Sequence, residues 1–171
     1  MKTSDSPVLH SAAMTAPPVA TIDVLNGLLE AEMNSVFRFM GEGSPYLSRA
    51  TAEIRRPLQE MVDTVNRRVM ELADLIDRLG GVPIPGPRGI DPEEQYLAFL
   101  SLKFLLPKLV SVKHLAIERY ENALKAIKSM RDNNDREVLD VLTAHLVEHQ
   151  AQLKILEQAA ADVIAREHAA K

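Results

Sequence analysis

Four long stretches of this chain carry apolar residues every three to four positions, and clusters of Gly, Pro, Asn or Asp bound each one. Placing residues about 100° apart gives each stretch a single apolar stripe. The first, about Ile22 to Met40, holds Leu25, Leu28, Leu29, Val36 and Met40. The second, roughly Arg49 to Leu79, holds Ile54, Leu58, Met61, Val65, Leu72, Ile76 and Leu79. The third, from Asp91 to about Met130, holds Leu106, Val110, Ile117, Leu124 and Ile127. The fourth, Arg136 to about Glu167, holds Leu139, Leu142, Leu146, Leu153, Leu156 and Ala160. No run alternates with the period of two that a half-buried strand needs, so the expected class is all-α.

The boundaries follow from local chemistry. Thr21 is a candidate N-cap, with Asp23 in the first turn. Gly41, Gly43, Ser44 and Pro45 end the first helix. Pro57 either kinks the second or marks its true first turn, and Gly80-Gly81 stops it. Residues 82–89 contain three prolines and two glycines, too many for a helix and too long a stretch for a tight turn. Asp91-Pro92-Glu93-Glu94 then reads as a helix start, with Pro107 as a kink further on. Residues 132–135 form the last turn. Short turn, long crossover, short turn predicts an antiparallel four-helix bundle with one long crossover between helices 2 and 3. Residues 1–20 read as a flexible tail and 21–171 as the bundle domain, with Met14 an alternative start to Met1.

Composition narrows the function classes. The chain has 171 residues, 46% of them apolar and only 4% aromatic, which makes an aliphatic core. The net charge is −4 and no basic block exists, which argues against nucleic-acid binding. No apolar run approaches a membrane span and the first residues lack a signal-peptide core, so no membrane is expected. There is no Cys, which excludes thiol chemistry and fits an expected cytoplasmic location. Ser44 and Ser101 have no His/Asp pattern around them, and no phosphate loop is present.

The informative residues are polar ones lying inside the apolar stripes. Glu32, Arg68, Lys113 and His149 fall near mid-height of the four helices, with His145 and Gln152 flanking His149. Charges are rarely buried unless paired. Charges on three stripes and a His on the fourth therefore predict an internal cluster; the competing reading lets Arg68 and Lys113 snorkel outward. His145 and His149 are spaced to reach one metal with Glu148 beside them, though core histidine is the commoner role. Tyr120 is expected in the core with its hydroxyl bonded. Arg55, Arg56, Glu60 and Arg67 are expected on a solvated face.

Leu25-Asn26-Gly27-Leu28-Leu29-Glu30-Ala31-Glu32 and Glu71-Leu72-Ala73-Asp74-Leu75-Ile76-Asp77-Arg78-Leu79-Gly80-Gly81-Val82-Pro83 resemble the bacterioferritin and rubrerythrin branch of the ferritin-like superfamily. The resemblance implies a di-iron site built from one Glu on each of two helices and Glu-x-x-His on each of the other two. Carried over by position, Glu32 is kept, but the second helix offers Val65 and Arg68, the third Lys113, and the fourth His149 and Gln152. Two irons need several carboxylates, and a guanidinium does not lose its proton. The expectation is a degenerate site without cofactor, in which Glu32 pairs with Arg68, Lys113 or both and His149 bonds nearby. The leading function is a non-catalytic structural or binding role. One alternative is a divergent metal oxidase or iron-handling protein using Glu32, His145, Glu148 and His149 with iron or another divalent metal. Another is a small-anion site in the bundle core. A homodimer or higher homo-oligomer is expected, with Tyr96, Leu97, Leu100, Phe104 and Leu105 as a candidate surface that covers either the crossover or a second subunit.

Overall fold

The computed structural model describes residues 18–42, 52–87, 100–130 and 135–169. Among them are five helices and no strand: α1 (Val19–Met33), α2 (Val36–Glu42), α3 (Ala52–Arg78), α4 (Leu102–Ser129) and α5 (Asp135–Ala169). The predicted tail up to residue 17 and the Asp91 helix start lie outside the described residues, as do Tyr96 and Leu97.

Three boundaries differ from expectation. Thr21 is not an N-cap: the helix already begins at Val19, Pro18 precedes it, and the Ile22 N–H donates to the Pro18 carbonyl at 3.0 Å. Thr21 is buried instead, its hydroxyl turned to the Met130 sulfur at 3.7 Å. The first helix is not continuous to Met40. Asn34 and Ser35, both weak helix formers, interrupt it, and Asn34 Nδ2 donates to the Pro87 carbonyl at 3.5 Å. The Ser35 carbonyl then opens α2 by accepting from the Arg38 N–H at 3.0 Å. Nor does the third helix run unbroken from Asp91, since Ser101 is extended (ψ 154) and α4 starts at Leu102. Pro57 and Pro107 each stand sixth in their helices, where each removes one early backbone donor.

The stripes pack as two apolar clusters. One joins Leu25 and Leu29 of α1 to Leu72 and Ile76 of α3, Leu124 and Ile127 of α4, and Val138 and Leu142 of α5. The other joins Val36 and Phe37 of α2 to Leu58 and Val65 of α3, Leu102 to Leu109 of α4, and Leu156 of α5. The first cluster thus unites the N-terminal parts of α1 and α5 with the C-terminal parts of α3 and α4. It follows that α3 and α4 run parallel to each other and antiparallel to α1 and α5. A parallel pair needs a connection that travels the length of the bundle, about 40 Å for a helix like α3.

That connection leaves α3 through a left-handed glycine. Gly80 has φ 77, and the Gly81 N–H reaches back to the Ile76 carbonyl at 3.0 Å, closing a Schellman motif. The next residues lie along α1. The Ile84 N–H donates to Asn26 Oδ1 at 2.7 Å, and Asn26 Nδ2 donates to the Val82 carbonyl at 3.2 Å. No described helix is long and apolar enough to cross a membrane. Leu105 is not an interface residue: it is 1% exposed in the chain's own core, whereas Phe104 is 60% exposed.

Candidate functional site

Between the two apolar clusters lies a polar layer about two helical turns thick. Helices α1, α3, α4 and α5 contribute to it, each where its stripe is interrupted. Glu32, Arg68, Lys113, His145 and His149 are at most 4% exposed and Gln152 is 9% exposed. Neither Arg68 nor Lys113 snorkels outward.

Glu32 is the hub. Arg68 forks onto it, Nε to Oε1 at 2.9 Å and Nη2 to Oε2 at 3.3 Å. His149 Nε2 lies 2.9 Å from Oε1, and the Tyr120 hydroxyl donates to the same oxygen at 3.0 Å. Burial alone would raise the Glu32 pKa. The His149 hydrogen bond and the Arg68 charge outweigh it and hold the carboxyl at about 2. Burial pushes His149 down to about 4, so it is neutral near pH 7. Its Nε2 then carries the proton toward Glu32, leaving Nδ1 as an acceptor.

Lys113 does not pair with Glu32, contrary to one of the two expected partnerships. Its Nζ donates to Gln152 Oε1 at 2.8 Å, lies 3.4 Å from His149 Nδ1, and sits 4.2 Å from the centre of the Phe37 ring. Burial, reinforced by the Arg68 charge, lowers its pKa to about 7. The break before α2 is what aims Phe37 at this amine.

A second chain of bonds leads to the surface. The Tyr120 hydroxyl is 3.2 Å from His145 Nδ1, and His145 Nε2 is 2.7 Å from Glu71 Oε2. Arg67 closes the rim, reaching Glu71 at 2.8 Å and Glu148 at 2.5 Å; Glu148 in turn lies 3.5 Å from Arg68. Arg67 is exposed as expected, yet it does more than face water. Sequence reasoning missed Glu71, whose signal was its spacing of four from Arg67. Arg55, Arg56 and Glu60 are solvated. Among the described residues every buried side-chain nitrogen and oxygen has a partner.

The layer brings together all five residues predicted for the internal cluster. The two histidines are not aimed at one point, since their Nε2 atoms engage different carboxylates, Glu71 and Glu32. Among the described residues no three His, Asp or Glu side chains converge as a metal-holding group. A cavity of about 420 Å³ between α1–α2 and α4 reaches this layer, with Glu32, Lys113, Tyr120 and His149 on its inner wall.

No family model matches this chain, and no curated protein matches it. Solved structures do. A dodecameric thioferritin from Bacteroides fragilis, a bacterioferritin-related protein, is 20% identical, with a TM-score of 0.68 over 88% of this chain and 90% of that one. A Desulfovibrio desulfuricans bacterioferritin with a diiron site is 17% identical, with a TM-score of 0.67 over 86% and 81% of the two chains. A ferritin-like diiron-carboxylate protein from Bacillus anthracis is 16% identical, with a TM-score of 0.68 over 86% and 99%. The parallel α3–α4 pair, the long crossover and these likenesses agree: the chain has the fold of the ferritin-like superfamily.

Proposed function

We propose that this protein is a ferritin-like bundle whose di-iron site has been replaced by a self-contained ion-pair network, and that it serves a non-catalytic structural or binding role. The observation that carries this reading is the Arg68 guanidinium, 0% exposed and forked onto Glu32 where the resemblance puts metal. A fixed cation there repels a divalent ion and takes up both oxygens of the one retained carboxylate. The residues present do not suit two irons. Val65 and Gln152 are neutral, Lys113 is an amine, and the layer's single fully buried carboxylate already accepts four hydrogen bonds. No catalytic step through iron is derived.

The alternative, a divergent oxidase using Glu32, His145, Glu148 and His149, requires both histidines to release their present carboxylates. The small-anion alternative loses its motive as well, because Arg68 is matched by Glu32 and approached by Glu148 within the chain. Self-association accompanies the reading, since the thioferritin neighbour is dodecameric. Iron and manganese content of protein purified without chelators tests the proposal. The expected result is well under one metal per chain; near-stoichiometric metal, with two peaks touching Glu32 in an iron-soaked crystal, overturns it. Light scattering on the same sample measures the oligomer, and a monomer at working concentration removes the assembly part.

A further inference from the structure

The cavity between α1–α2 and α4 has a buried amine on its inner wall, and the ion-pair network does not need that amine. Glu32 is neutralised by Arg68, while Lys113 spends one N–H on Gln152. The cavity, about 420 Å³, runs from exposed Leu115 and Arg119 inward past Ala116 and Phe37 to Lys113 and His149. Its volume is in the range of small-molecule sites. Leu28, Val36, Phe37, Val112 and Ala116 supply its apolar lining, Glu30 and Arg119 are its exposed polar residues, and Glu32, Lys113, Tyr120 and His149 are its buried ones.

We propose that Lys113 is a nucleophilic amine at the end of a small-molecule pocket and condenses reversibly with a small aldehyde to form an imine. The arrangement matches the two ways a lysine is activated: removal from water and a neighbouring cation. Both act here, through burial and Arg68, and they leave a large share of the amine unprotonated at neutral pH. The Nζ lone pair adds to the carbonyl carbon, forming a C–N bond. One nitrogen proton passes to the former carbonyl oxygen, with His149 Nδ1, 3.4 Å away, as the adjacent acceptor. The carbinolamine then loses its hydroxyl as water, taking the second nitrogen proton, and a C=N bond remains. Amine and aldehyde become imine and water with no change of oxidation state. An anionic aldehyde is disfavoured, because it would approach buried Glu32. A neutral aldehyde with a short apolar body fits the walls.

The test incubates the full-length, chelator-treated protein with butanal and cyanoborohydride, and maps butylated sites by peptide mass. At pH 7 Lys113 should be labelled at least about tenfold faster than exposed Lys125 and Lys128. The Lys113 rate should level off just above neutral pH, while exposed lysines keep accelerating toward pH 10. The α-amino group is also labelled near neutrality and gives an internal reference. Ala116→Phe, which fills the pocket and leaves the amine in place, should slow Lys113 labelling about tenfold and leave Lys125 unchanged. Labelling of Lys113 no faster than Lys125, or an unchanged rate in a folded Ala116→Phe protein, overturns the proposal. If that variant does not fold, the wild-type rate and pH profile decide. Metal content is read separately, so the labelling and the pseudo-site reading stand or fall apart.

Discussion

Replacing Glu32 by Gln removes one charge and little volume, and the structure gives the cost. The carboxylate accepts two bonds from Arg68, one from Tyr120 and one from His149. An amide keeps one acceptor oxygen and turns an NH₂ group toward the guanidinium, donor against donor. Arg68 retains only Glu148 at 3.5 Å, itself one-third exposed. Breaking a buried pair from one side costs about 3–5 kcal/mol. Glu148 offsets part of this, so about 3 kcal/mol is expected, roughly a 150-fold shift toward the unfolded chain. For a chain of this size the melting midpoint should fall by about 6–12 °C. Urea denaturation followed by helical circular dichroism measures the loss, which should appear in the midpoint with an unchanged slope. The paired variant Glu32→Leu with Arg68→Met should recover more than half of it, because no charge is left stranded. A Glu32→Gln protein within about 0.5 kcal/mol of wild type, or a paired variant worse than the sum of its single changes, would refute the reasoning.

Besides the rise in stability between about pH 4 and 6.5 that His149 should give, stability should depend on pH in two windows. Glu32 titrates at about 2 folded and near 4.3 unfolded, so its contribution is complete above about pH 4.3 and is lost as pH falls toward 2. Lys113 is lowered to about 7, so the unfolded chain binds the extra proton from pH 7 to about 10.4, and stability should rise across that range. Urea midpoints at stepped pH check both, and Lys113→Met should flatten the alkaline rise alone. Gly81→Ala should cost about 1–3 kcal/mol, since its new methyl would meet Ile22 at 2.8 and 2.9 Å; a thermal melt at wild-type stability removes that close approach. Converting Val65→Glu, Arg68→His, Lys113→Glu, His149→Glu and Gln152→His restores the implied ligand set. This variant should take up about two Fe(II) per chain by titration, and no uptake would separate the layer from a metal site.

The helix pattern and topology were legible because the apolar period marks each of the long helices, and Gly80-Gly81 ends α3 where turn chemistry places the stop. Glu32, Arg68, Lys113, His149 and Gln152 were legible as candidates, since a charge inside an apolar stripe must find a partner or escape; for Arg68, toward one edge of its stripe, the stripe alone left both outcomes open. Pairing was only half readable. That Glu32 takes Arg68 follows from charge; that Lys113 turns to Gln152 depends on how four helices are rotated against each other, which no single stripe records. Glu71's spacing from Arg67 was readable, but its bond to His145 was hidden for the same reason. It sits at a stripe edge, and its partner His145 is 74 positions away. The break at Asn34-Ser35 was different, because its local signal was present and the apolar period across it hid it.

Many bundles of this shape are completed by an ion from outside. In this one the charge that fills the middle is attached to α3 and arrives with the chain itself. Scarcity of metal cannot empty the Arg68 position. On the proposed reading, the countercharge to buried Glu32 is fixed when the chain is made.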